Sequence, residues 1–451
     1  MVNFDAYWTL VRRVQVTLHY RRDMVSRRSI LGAVPLAAVA LTATPGHARL
    51  NGSSTSTDPE RVPPDPATMQ AAAAAVRGFT ADLYRTIASS HAGGNVVCAP
   101  YSVQLALAMA RAGAGSTTAD EMDAVLHAPH PRPGALDSGL NTVDQSLAAR
   151  FQDGDGVRQP RVTTANAVWT RLDLGLRSGF RDTLAGYYGA VAHPVDFRGA
   201  PEAARQEINT WVSDRTNAKI PELLAPDSVR PDTSLMLTNT AYLKAAWYYP
   251  FRASATLEEP FTRDDGTVVQ VPMMRGPFDR MGHVLGDGWR AVDVPLAGDG
   301  LAMAIVMPTR DNLTAVEANV DGAWLGALFA GFQFTDIQLR MPRWTFRLPA
   351  QLGGALSGLG MPTAFTPYAD FTGMSTTDPA LCIDDVVHET FIGVDEKGVE
   401  AAAASAVIIR PPSIPQGPQF FVNRPFLYVI HDRVTGVPLF LGRVHDPLVT
   451  G

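Results

Sequence analysis

At 451 residues, 46% hydrophobic and 18% charged, the chain has the make-up of a folded globular protein with room for a large core. Its net charge of −6 excludes an electrostatic footing on nucleic acid or an anionic membrane, and with only Lys219, Lys244 and Lys397 as lysines the arginine richness reads as codon bias. The two cysteines, Cys98 and Cys382, cannot build a disulfide framework and read as isolated buried thiols, with one bridge in an oxidising compartment as the alternative.

The N-terminus has the layout of an export signal over residues 1–48. Arg27-Arg28 precedes the apolar run Ile30 to Leu41, and Gly46-His47-Ala48 gives a small-residue exit, as in a twin-arginine signal. The apolar run has only about a dozen residues, too few for a membrane span. Met24 is a candidate true start, and export to the cell envelope or the exterior is the expected localisation. Residues 49–68, rich in Ser, Thr, Pro and Asp, read as a disordered linker.

Residues 69–447 show no linker and no repeat, which predicts one domain followed by a short tail, 448–451. Val76, Phe79, Leu83 and Ile87 predict a helix over 71–89. A second helix is expected over 102–111, with Ser102 as its cap after Pro100, and a third over 202–219. Strands dominate later: a buried run at 235–243, a hairpin over 291–308 turning at Gly298-Asp299-Gly300, and further strands within 337–346 and 420–444. Helices first and long strands later predict an α+β fold.

Enzyme motifs are missing. The sequence contains no GxSxG, no Ser-x-x-Lys, no phosphate-binding GxxxxGK[ST] and no HExxH, since Thr390, Phe391 and Ile392 follow His388-Glu389. The ten histidines have no metal-ligand spacing, so neither a metal nor a cofactor is expected.

The most telling segment is Glu396-Lys397-Gly398-Val399-Glu400-Ala401-Ala402-Ala403-Ala404-Ser405, followed by Ala406 to Arg410 and then Pro411-Pro412. By propensity alone its alanines favour a helix. With a period of two it is a strand: Val399, Ala401, Ala403, Ser405, Val407 and Ile409 are small or apolar, while Glu400 and Arg410 both fall on the other face. The prolines end it, so 399–410 form a strand of about 40 Å with a hinge at Gly398.

That segment resembles the hinge of the serpin family, and the resemblance runs the length of the domain. Asn95 to Val103, Ala165 to Trp169, Ile208 to Val212, Asn217 to Ile220 and Leu237 to Lys244 are similar to family signatures in the family's order. Trp247 with Pro250-Phe251, Leu359 to Gly373, His388 to Phe391, Asn423 to Tyr428 and Phe440 to Val444 complete the series. Ala99 stands where the family usually has serine and Ala245 where it usually has glycine. The loss of a hydroxyl at Ala99 leaves Ser102, Asn239 and His388 as the polar group of the sheet-opening region.

The resemblance implies a serpin fold: helices around a large central mixed sheet, two further sheets and an exposed reactive loop. It implies no catalytic residues but suicide inhibition of a serine protease, in which the loop is cleaved and inserts into the sheet. Together with the export signal it suggests an exported, bacterial-type member, and a monomer. Counting from the hinge glycine puts the scissile bond at Pro412-Ser413; counting back from Asn423 shifts it to Ile414-Pro415; Ser413-Ile414 lies between. A small residue before the cut suits elastase- or subtilisin-like enzymes, and Arg410-Pro411 leaves a trypsin-like target as an alternative. A non-inhibitory serpin-fold binding or carrier protein is the competing expectation.

Overall fold

Apolar side chains three and four residues apart carry the chain into helices first, and long runs of alternating ones then carry it into sheets. The computed structural model describes residues 61–129, 134–151, 160–298, 300–309, 313–375, 377, 381–399 and 417–450, with backbone only at 163–165. The export signal, most of the expected linker, hinge residues Glu400, Ala401, Ala402, Ala403, Ala404 and Ser405, and the candidate cut site Pro412, Ser413 and Ile414 lie outside the described residues.

The helices are α1 (Met69–Ser90), α2 (Pro100–Arg111), α3 (Ser116–Val125), α4 (Ala135–Phe151), α5 (Ser178–Thr183), α6 (Pro201–Arg215), α7 (Leu313–Glu317), α8 (Gly322–Gly331) and α9 (Gly353–Leu359). Helix α1 buries Val76, Phe79, Leu83 and Ile87 on one face, as their spacing requires. Helix α2 is buried on every side up to Ala110 and starts with Pro100, whose missing N–H costs nothing in the first turn. The expected capping role of Ser102 is corrected here: the helix begins two residues earlier, and the Ser102 hydroxyl donates instead to Asn166 Oδ1 at 2.7 Å and to the Thr240 carbonyl at 3.3 Å. Helix α6 stops at Arg215, short of the expected Lys219, because Asn217 and Ala218 turn into left-handed backbone. At the other end, residues 61–68 of the expected linker lie along α4: Arg61 bonds Asn141 and Asp144, and Asp65 N–H donates to Thr142.

In chain order the strands are β1 (Val96–Cys98), β2 (Arg161–Arg171), β3 (Ala192–Val195), β4 (Leu235–Ala246), β5 (Leu257–Thr262), β6 (Val268–Gly286), β7 (Trp289–Pro295) and β8 (Leu301–Pro308). They continue with β9 (Gln333–Pro342), β10 (Trp344–Gln351), β11 (Asp385–Val394), β12 (Gly398–Val399), β13 (Gln419–Phe421), β14 (Phe426–Asp432) and β15 (Pro438–Val444). One mixed sheet has six strands in the order β10-β11-β12-β4-β2-β3. The other has nine, β1-β15-β14-β8-β7-β6-β9-β13, with β5 beside β6. The two further sheets implied by the resemblance are therefore continuous through the 19-residue β6, which bends at an irregularity between Phe278 and Met281. The run 337–346 is two strands in different sheets, separated at Arg343.

The main core lies between the sheets, where Leu235, Leu237, Ala241, Leu243 and Ala245 of β4 meet α1, α2 and the second sheet. Met236 of β4 points the other way, into a smaller cluster under α6 with Ile208 and Val212. This strict alternation, with both faces of β4 buried, explains its nearly continuous apolar sequence.

Candidate functional site

Strands β11 and β4 run parallel and pair directly from Asp385–Met236 to Thr390–Ala241. Above that point they part, and β12 occupies the gap. Val399 is antiparallel to Ala245 on one side and to Val394 on the other, and Gly398 faces Ala246. The stagger of β11 against β4 is the same in both places: Asp385 is level with Met236, and Val394 is level, through Val399, with Ala245. A strand between them therefore needs only lateral separation of β11 from β4, with no slide along the sheet.

Local chemistry fixes β12 there. Gly398 has φ +151°, and a Cβ on it would sit 2.1 Å from the Ala245 carbonyl oxygen, so only glycine enters this gap. Val399, 2% exposed, packs in the main core. The turn before them is tied internally, with Asp395 Oδ1 accepting from the N–H groups of Lys397 at 2.7 Å and Gly398 at 3.2 Å. It is also tied to the end of β4: Trp247 donates its indole N–H to the Asp395 carbonyl at 2.8 Å and its backbone N–H to the Lys397 carbonyl at 2.9 Å. The buried Glu396 carboxylate accepts from Arg343 Nε at 2.9 Å and from the Thr256 hydroxyl. Burial raises its pKa, but these hydrogen bonds outweigh burial and hold it below the ordinary range.

At the closed end of the gap sits a polar cluster. His388 and Asn239 are ladder partners, and their side chains bond at 2.6 Å, His388 Nδ1 to Asn239 Oδ1. His388 Nε2 accepts the Ala99 backbone N–H at 3.2 Å and bonds the Thr390 hydroxyl at 2.7 Å. That geometry puts the proton of a neutral ring on Nδ1, facing Asn239. Burial pushes the His388 pKa down from 6.5 to about 4. Asn239 Nδ2 donates to Ser102 Oγ at 2.7 Å and Asn166 Oδ1 at 2.5 Å.

The structure thus brings Ser102, Asn239 and His388 together, and adds Asn166, Thr390 and the Ala99 N–H, none of which was expected in this polar group. Asn166 lies directly opposite Asn239 in the β2–β4 ladder, a register that only the paired strands reveal. The hydroxyl absent at Ala99 does not empty the cluster, since that residue contributes its backbone N–H. Of the hinge, Glu396, Lys397, Gly398 and Val399 lie in this site. The two cysteines are not joined; Cys98 is fully buried, which drives its thiol pKa up, and its thiol faces the Leu441 carbonyl. No group of side chains that could hold a metal ion occurs among the described residues.

Residues 74–447 match the family model described as serpin (serine protease inhibitor). The chain is 35% identical over 379 residues to an uncharacterised serpin-like protein of Thermococcus kodakarensis, covering 83% of this chain and 85% of that one. It is 31% identical over 389 residues to the leukocyte elastase inhibitor of Xenopus tropicalis, covering 84% and 100%. The fold is similar to that of human thyroxine-binding globulin complexed with thyroxine, with a TM-score of 0.73, 25% identity, and 84% and 99% of the chains covered. Relatives from an archaeon to a vertebrate do not support the expected assignment to an exported bacterial branch.

Proposed function

The chain belongs to the serpin family, and from that premise we propose that it inhibits serine-type endopeptidases as a suicide substrate. A protease cleaves the segment after β12, remains acylated on the newly formed end, and is carried off as that segment inserts between β11 and β4. The observation that carries this reading is β12 itself, a strand already started in the gap, flanked on both sides and in register.

Continuing the same register gives the insertion specific neighbours. Glu400 would come level with Lys244, an opposite charge, and Ser405 level with Asn239 and His388. Ile409 would come level with Leu235, the first residue of β4. The strand 399–410, bounded in the sequence by a glycine hinge and a proline pair, therefore has the length of the gap it would fill. Odd positions from Val399 onward would face the main core, and even ones the side under α6. Roughly ten new ladder hydrogen bonds, at about 1 kcal/mol net each, rival the stability of a whole domain. That is enough to drive deformation of an attached enzyme.

Ser413-Ile414 or Pro412-Ser413 as the cut favours elastase- or subtilisin-like targets over trypsin-like ones. The test is incubation with one protease of each type. A complex that survives SDS, with a released C-terminal peptide starting at Ser413 or Ile414, is expected. Cleavage of the segment with no stable complex contradicts inhibition and favours a binding or carrier role, as the name of thyroxine-binding globulin indicates for that neighbour.

A further inference from the structure

Strand β13 is the edge of the nine-stranded sheet and begins shortly after the bait segment, so it anchors the bait's C-terminal end. Each face of this strand carries a guanidinium. Arg290 of β7 lies 4.7 Å from the centre of the Phe420 ring and donates to the Gln419 carbonyl at 3.2 Å. Among the described residues no carboxylate forms an ion pair with Arg290. Arg340 of β9 lies 4.2 Å from the centre of the Phe421 ring. It meets Glu259 at 3.2 Å but shares that carboxylate with Arg275, its direct ladder partner on β6.

Beside β13, Arg290, Arg340 and Arg275 outnumber the carboxylates Glu259 and, next to Gly417 before the strand, Asp336, which accepts from the Arg280 N–H; positive charge is in excess there on a chain whose net charge is −6. Stacking on Phe420 and the bond to the Gln419 carbonyl give Arg290 a structural role, yet a half-buried charge without an ionic partner still costs stability. Burial lowers the Arg290 pKa, and the neighbouring Arg424 lowers it further. An external carboxylate would relieve both.

We propose that the arginines flanking β13 form an accessory docking surface for an acidic face of the protease that attacks the bait. The inference rests on the trapping function proposed above and concerns only encounter. Charges at the rim of an interface act on the association rate and its salt dependence, whereas the partition between trapping and release is set by insertion.

The test uses the full chain and two elastase- or subtilisin-like serine proteases, one acidic and one basic overall. Association rates are measured from low to high ionic strength. Arg290→Glu is expected to slow association with the acidic enzyme about threefold to tenfold at low salt, with the difference fading as the Debye length shrinks. Arg290→Lys should keep most of the wild-type rate, and both variants should keep the wild-type stoichiometry of trapping. If Arg290→Glu melts lower than the wild type, Arg290→Gln replaces it, with an expected loss of about half as many powers of ten. Full trapping with rates indifferent to the charge at Arg290, or trapping confined to the basic enzyme, overturns the docking surface alone. Trapping of neither enzyme, with the bait cleaved, overturns the trapping function and this inference with it.

Discussion

His388 reaches the junction of β11 and β4 as a neutral ring, and the pH dependence of the sheet follows from that one residue. Folded, it takes up a proton only near pH 4, whereas its ordinary value is 6.5. Between those values the unfolded chain binds more protons than the folded one. The contribution is therefore fully present above pH 6.5 and is lost as pH falls toward 4, for a total of about 3 kcal/mol. The geometry agrees, since a proton on Nε2 would face the Ala99 N–H that now donates to it. The urea midpoint of the intact protein should therefore fall from pH 7.5 to pH 5 by more than it does in His388→Gln. Equal falls would put the responsible protonation elsewhere.

At the scale of elements, periodicity located most of the architecture. Helix α1 and strands β4, β7 and β8 were legible because each buries a regular stripe or a continuous run. Boundaries set by tertiary contacts were not. Nothing local in 337–346 says that the chain leaves one sheet at Arg343 and enters the other, and nothing local gives Ser102 its partners across the sheet. The hinge parity was readable, and its first member can be checked, because Val399 is buried in the core. If the parity continues past β12, Ala403→Arg places a charge in that core only when the strand inserts, at a cost of several kcal/mol against insertion. The variant should be cleaved by the target protease yet form little SDS-stable complex, its stoichiometry of inhibition rising about tenfold or more. Trapping at the wild-type stoichiometry would show that the insertion face is wrongly assigned.

For the molecule as a whole, the proposed function turns on where β11 and β4 meet. The parallel β11–β4 ladder is closed below, β12 is started above, and the stagger of the two flanking strands already suits a full strand between them. Family membership was legible in the sequence because short signatures recur in order along the domain; the state of the sheet was not, because it depends on which strands pair. The proposed function requires that severing the bait lets it complete the sheet. The most direct measurement compares the melting temperature of the intact protein with that of protein cleaved between Pro411 and Pro415. Completion predicts a rise of about 10 °C or more in the cleaved form, still held as two associated fragments. A cleaved form that melts at or below the intact one would contradict it.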